Sequence, residues 1–214
     1  LEDLQTLGIR HLRTNISWAD YHRPDGREWY DWLIKTLGRK VELLPCVLYT
    51  PPSLGIKPKS SAPPVNTRDY ADFIDKIITD YGKYFNYIEL WNEPNNQEEY
   101  DFTLDPDWNI FCEMIGSAAH WAKEKGKMTV LGGMSPIDPN WLQMMFRKNL
   151  MKYIDVIGIH GFRDVFDYNW EGWGAEISRI RQVMKDNNSS AELWITEAGF
   201  SAWQRNEKKQ LKEF

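Results

Sequence analysis

Glu89-Leu90-Trp91-Asn92-Glu93-Pro94-Asn95 closes an apolar, β-like run that begins at Tyr87, and it closes on a carboxylate. Much later in the chain Trp194-Ile195-Thr196-Glu197-Ala198-Gly199 does the same. Each string reads as a strand whose last residues turn polar, so each hangs one glutamate from a strand tip. Working outward, four more such runs follow the pattern, giving strand candidates at 8–13, 41–48, 87–91, 128–131, 154–159 and 192–195.

Between the strands lie helical periodicities. The clearest is Tyr70, Phe73, Ile74, Ile77, Ile78 and Tyr81, entered through Asn66 or Thr67 as N-cap. A second, Trp108, Phe111, Cys112, Ile115, Ala119 and Ala122, is closed by Gly126, and a third over 29–37 ends at Gly38. Shorter ones fall at 142–146 and 177–184, and Leu4 and Leu7 with Gly8 read as the end of a helix whose preceding strand is absent. Strands separated by single helices predict parallel βαβ units.

Six units fit either an open doubly wound sheet or part of a closed barrel. The polar residues decide. Arg13, Thr50, Asn92 with Glu93, Ser135, His160 and Glu197 each fall where a strand gives way to its loop, which gathers chemistry on one rim as a (β/α)8 barrel does. No phosphate-cradling glycine string follows any strand. The predicted fold is therefore α/β, a (β/α)8 TIM barrel that is truncated, with strands 2–7 visible and the first and eighth missing. Residues 1–214 read as a single domain, a fragment of a longer chain. The stretches 50–64 and 95–107 read as rim loops over a cleft.

Bulk properties narrow the function. A net charge of −5 argues against a nucleic-acid or anionic-membrane partner, and no apolar stretch approaches the ~20 residues of a membrane-spanning helix. Neither compartment nor oligomeric state is fixed. Cys46 in a strand and Cys112 on a helix read as separate buried thiols, and no metal cluster or cofactor motif is visible. Eleven tryptophans, ten tyrosines and nine phenylalanines exceed what a core of this size requires; flat side chains in loops suit the apolar faces of sugar rings.

Two strand-tip carboxylates are the equipment for breaking a glycosidic bond by double displacement, one protonating the leaving oxygen and the other attacking the anomeric carbon. At this level the chain resembles clan A barrel glycoside hydrolases, most nearly family 39, the group of β-xylosidases and α-L-iduronidases. Residues 89–95 resemble its fourth-strand acid/base signature, and residues 194–199 its seventh-strand nucleophile signature. The resemblance implies that Glu93 is the general acid and then base, that Glu197 is the nucleophile, and that Asn92 bonds the sugar 2-hydroxyl. It implies further that Arg13 is the second-strand arginine holding the nucleophile ionised, and His160 the sixth-strand histidine beside the reacting ring. The clan's tyrosine shortly after that histidine is replaced here by Phe162, with Tyr168 the nearby alternative. Trp170, Trp173 and Trp203 are the candidate sugar platforms, whereas Trp91 and Trp194 read as packing.

The expectation is thus a metal-free retaining O-glycosidase, β-xylosidase-like, acting on an oligosaccharide, polysaccharide or simple glycoside. Its first rival is a catalytically silent polysaccharide-binding barrel, an accessory part of a larger carbohydrate-processing protein. A lyase or isomerase barrel would need a phosphate site or a metal cluster.

Overall fold

The computed structural model describes residues 2–162, 170–200 and 207–213. Among the described residues six strands form one all-parallel sheet, hydrogen-bonded in chain order: β1 (His11–Ser17), β2 (Glu42–Leu48), β3 (Tyr87–Leu90), β4 (Met128–Met134), β5 (Val156–Gly161) and β6 (Glu192–Ala198). That order separates the two candidate architectures, because a doubly wound sheet reverses at a switch point whereas a barrel winds once, in sequence order. The sheet is also strongly curled. Six flat strands would hold β1 and β6 about 24 Å apart at ~4.8 Å per step, yet Arg13 on β1 pairs directly with Glu197 on β6.

Among the described residues α1 (Glu2–Thr6) precedes the first strand, α2 (Trp18–Tyr21), α3 (Gly26–Leu37), α4 (Arg68–Tyr81), α5 (Asn109–Glu124), α6 (Pro139–Arg147) and α7 (Trp173–Asp186) lie between strands, and α8 (Glu207–Glu213) follows the last. The stripe read on α4 is its buried face, all six residues included. Its cap is divided between the two candidates: Thr67 holds the cap position without a side-chain bond, while Asn66 Oδ1 accepts the Arg68 N–H at 3.2 Å. On α5 the buried stripe runs Phe111, Met114, Ile115, Ala118, Ala119 and Ala122, and its three alanines let the second half of the helix lie close to its neighbours. Cys46 and Cys112 are separate free thiols as read, but only Cys46 is buried; Cys112 lies half-buried at the margin of the α5 stripe. No helix among the described residues is long and apolar enough to cross a membrane.

The first strand is displaced from its predicted place. Only the last three residues of the run 8–13 are strand; β1 starts at His11, so Arg13 is third of seven residues and not at the strand's end. Periodicity failed there because β1 carries Arg13, Thr14 and Asn15 where a strand buried on both faces would be apolar. The contrast with β5 is clear: every residue of β5 is buried, whereas β6 has none buried and β1 only its last two. β1 and β6 are the two edges of the sheet. Between them opens a cavity of about 730 Å³ lined by Leu12, Leu44, Leu193, Trp194, Ile195 and Arg181 among others. Trp194 is accordingly only partly buried, its ring 4.8 Å from that of Tyr87, while Trp91 is fully buried packing as expected.

Candidate active site

The carboxyl-terminal ends of the strands converge on one cluster. His160 and Glu197 are the penultimate residues of β5 and β6 and are paired in register. A bulge makes this pairing possible. Ile159 pairs with Ile195, but His160 pairs with Glu197, leaving Thr196 as the extra residue. An unbroken ladder would set Glu197 opposite Gly161, on the other face from His160. Thr196 is put to use, its Oγ1 lying 3.0 Å from His160 Nε2.

Past β3 the backbone takes two left-handed turns, Trp91 at φ 71° and Glu93 at φ 38°. Non-glycine residues rarely adopt this region, and such strain gathers at functional sites. Here it seats the Trp91 ring in the core and swings Glu93 across to β5, where Glu93 Oε1 lies 2.9 Å from His160 Nδ1. Asn96 Nδ2 donates to the other oxygen at 2.9 Å. Burial pushes the Glu93 carboxyl up, but the bonds from His160, Asn96 and Ser135 outweigh it, and the group is held below its ordinary value.

Arg13 joins the halves of the cluster. Its guanidinium pairs with Glu197 and Glu89 and donates to Asn92 Oδ1 at 2.8 Å. Burial works against its charge, and the carboxylates around it more than restore it. Because Asn92 Oδ1 accepts from Arg13, the amide nitrogen of Asn92 is turned the other way, as a donor. Cys46 Sγ lies 3.4 Å from Arg13 Nη2 and donates to the Trp91 carbonyl; burial raises this thiol and keeps it neutral.

Five sequence candidates, Arg13, Asn92, Glu93, His160 and Glu197, are thus brought together. Trp170 and Trp173 lie next to the cluster, perpendicular to each other at 4.9 Å and packed over Gly161, where a Cβ would strike both rings. Trp203 and Tyr168 lie outside the described residues. Phe162 approaches the His160 ring edge-on at 6.4 Å. The sequence reading missed Glu89, Asn96 and Thr196. It also saw no metal cluster, yet Glu93, His160 and Glu197 each place one ligand-type atom within 4.8 Å of the others. Arg13 already occupies Glu197 Oε1, so a cation bound there would face a guanidinium.

No family model matches the chain, and no curated protein matches it. Solved structures do. Similar folds include the catalytic domain of GH30 xylanase C from Talaromyces cellulolyticus, with TM-score 0.55 and 15% identity over 89% of this chain and 59% of that one. A Thermomonospora fusca β-mannanase in a mannohexaose complex gives 0.56 and 14%, over 99% of this chain and 67% of that one. A β-glucosidase from Exiguobacterium marinum gives 0.54 and 14%, over 92% and 67%. The curled sheet is therefore similar to the barrels of glycoside hydrolases, and the chain spans about three fifths to two thirds of their length. Identity this low carries the fold and nothing more.

Proposed function

We propose that the chain is the larger part of a retaining glycoside hydrolase barrel of clan A, with Glu197 as nucleophile and Glu93 as acid and then base. The observation that carries this reading is the separation of the two carboxylates, an oxygen of each lying within 4.8 Å. Double displacement uses carboxyls about 5–5.5 Å apart, whereas direct displacement by water needs about 6.5–9.5 Å. Three carboxylates against one guanidinium make the cluster formally negative, which suits the cationic character of an oxocarbenium-like transition state. Asn92, its amide turned outward by Arg13, donates to the sugar 2-hydroxyl. His160 orients Glu93, and Trp170 with Trp173 offers an apolar face to a neighbouring ring. A β-linked or equivalent equatorial glycoside is the substrate class, and family 39 is the nearest family by the two strings; sugar identity does not follow from fold.

The gap between β1 and β6 belongs to the same proposal. Two bare edges and an apolar cavity between them fit two further parallel strands, which would complete the eight of a closed barrel. Residues 1–214 are then one domain's greater part, working within a longer chain.

One observation favours a second reading, the silent polysaccharide-binding barrel: the state of Glu93, held below its ordinary value when a general acid needs to be raised. Glu197→Ala tests both. In an enzyme it abolishes hydrolysis of an aryl glycoside, and added azide restores turnover with product of inverted anomeric configuration. Near wild-type hydrolysis by Glu197→Ala overturns the nucleophile, and a chain that binds oligosaccharide without hydrolysing any aryl glycoside is the silent barrel.

A further inference from the structure

Glu89 sits four residues before Glu93, on β3, with its side chain wholly buried. A carboxylate in that position is costly unless both oxygens are hydrogen-bonded and a cation is near. Both conditions hold. Arg13 Nε bonds Glu89 Oε2, Arg13 Nη2 donates to Glu89 Oε1 at 3.2 Å, and the Gly133 N–H donates to the same Oε1 at 3.1 Å. Arg13 thus spends its two-nitrogen edge on Glu89. Glu197 receives only the remaining Nη1, and Asn92 the second hydrogen of Nη2.

A planar guanidinium has two such forked edges and prefers to grip a carboxylate with one of them. We propose that Glu89 is a positioning residue for the reaction proposed above: by gripping the Nε–Nη2 edge it limits Arg13 to a single bond with Glu197 and keeps Asn92 turned toward substrate. Glu197 then keeps oxygen lone pairs for attack. Without Glu89 the guanidinium turns its fork on Glu197, chelates both oxygens and loses its hold on Asn92. Glu89 itself acts only through Arg13.

Glu89→Gln separates this role from plain support, because the amide keeps the volume but sets N–H donors against the N–H donors of Arg13. Two readouts are taken on the folded variant, hydrolysis of an aryl glycoside and the Arg13 side-chain resonances in a ¹H–¹⁵N spectrum. Positioning predicts kcat reduced about 10²-fold, the scale of a misplacement near 1 Å, with KM changed far less and the Arg13 Nε and Nη resonances moved or averaged. Unmoved Arg13 resonances, or a kcat within about twofold of wild type, overturn it. If no form of the chain hydrolyses a glycoside, the resonances still decide: their movement upholds the grip of Glu89 on Arg13 while the glycosidase reading alone fails. Should Glu89→Gln not fold, Glu89→Asp carries the same two readouts, since it keeps the charge and shortens the reach.

Discussion

Glu93 and Glu197 share one cluster but hang from unequal halves of the molecule. Glu93 follows β3, behind which an aromatic stack runs from Trp91 through Tyr100 and Trp108 to Phe111 and Trp141, every ring within about 6 Å of the next. Its rim loops are tied to each other, the Asp101 N–H donating to the Ser61 carbonyl at 2.7 Å, and the first of them is closed on itself by the Thr50 N–H donating to that of Ser60 at 2.9 Å. Glu197 stands on an edge strand with no buried residue, and its side chain is 33% exposed against 13% for Glu93. The closed half holds its carboxylate by bonds from His160 and Asn96 over a well-packed base. The open half holds its carboxylate by one long reach across the curl, from Arg13. Position on the rim and stability of the element beneath it are therefore separate properties, and here they are distributed oppositely between the two carboxylates.

The sharpest way to break this comparison is at the acid. Glu93→Gln should lower the glycosylation rate of poor leaving groups by about 10²–10⁴-fold and that of activated aryl leaving groups far less, read by single-turnover kinetics. Equal losses for both classes would detach Glu93 from proton donation.

Next come the two halves themselves. Phe111→Ala, deep in the aromatic stack, should cost about 3–5 kcal/mol in unfolding free energy. Ile195→Ala on β6, 47% exposed, should cost no more than about 0.5 kcal/mol. Chemical denaturation measures both, and similar losses would show that the edge is covered in solution. A chain extended by two further strands supplies the sharpening case, since Ile195→Ala should then become distinctly more costly.

A smaller effect is on pH dependence. Because Glu93 is lowered in the folded chain, it contributes stability that is fully present above the ordinary glutamate range and is lost as pH falls through the lowered value. In the proposed role of acid it would work only when protonated, so the alkaline limb of glycosylation should lie on the acid side of that range. Asn96→Ala removes one of the bonds responsible, and the limb should move to higher pH. A limb that stays in place in Asn96→Ala would mean that another group sets it.

Much of this was legible from periodicity and from where polar residues interrupt it. All six strands were located, five of them within a few residues, because β2 to β6 carry apolar runs ended by a polar side chain. β1 was misplaced because its interior residues are polar: Arg13 reaches across the curl to Glu89 and Glu197, and Asn15 is exposed on the edge of the sheet. Glu89 was invisible for a related reason: inside an apolar run it looks like a solvent-facing exception. The usable signal was the pair. A cation inside one strand and an anion inside another, both in a sheet buried on two faces, imply each other. Asn96 and Thr196 left no such mark, since a loop asparagine is common and a bulge has no fixed composition.

Gly133 on β4 carries a consequence for anyone comparing chains of this kind. A methyl group there would collide with His160 Nε2 and with Thr196 Oγ1, and the fully buried imidazole, already bonded at both nitrogens, has nowhere to retreat. A single nucleotide change, from a glycine codon to an alanine codon, would therefore dislodge the histidine that orients Glu93 while both glutamates remain in the sequence. Under the proposed function, descendants that bind sugar without cutting it would arise by this route with both strings intact, and position 133 would distinguish them where a count of carboxylates would not.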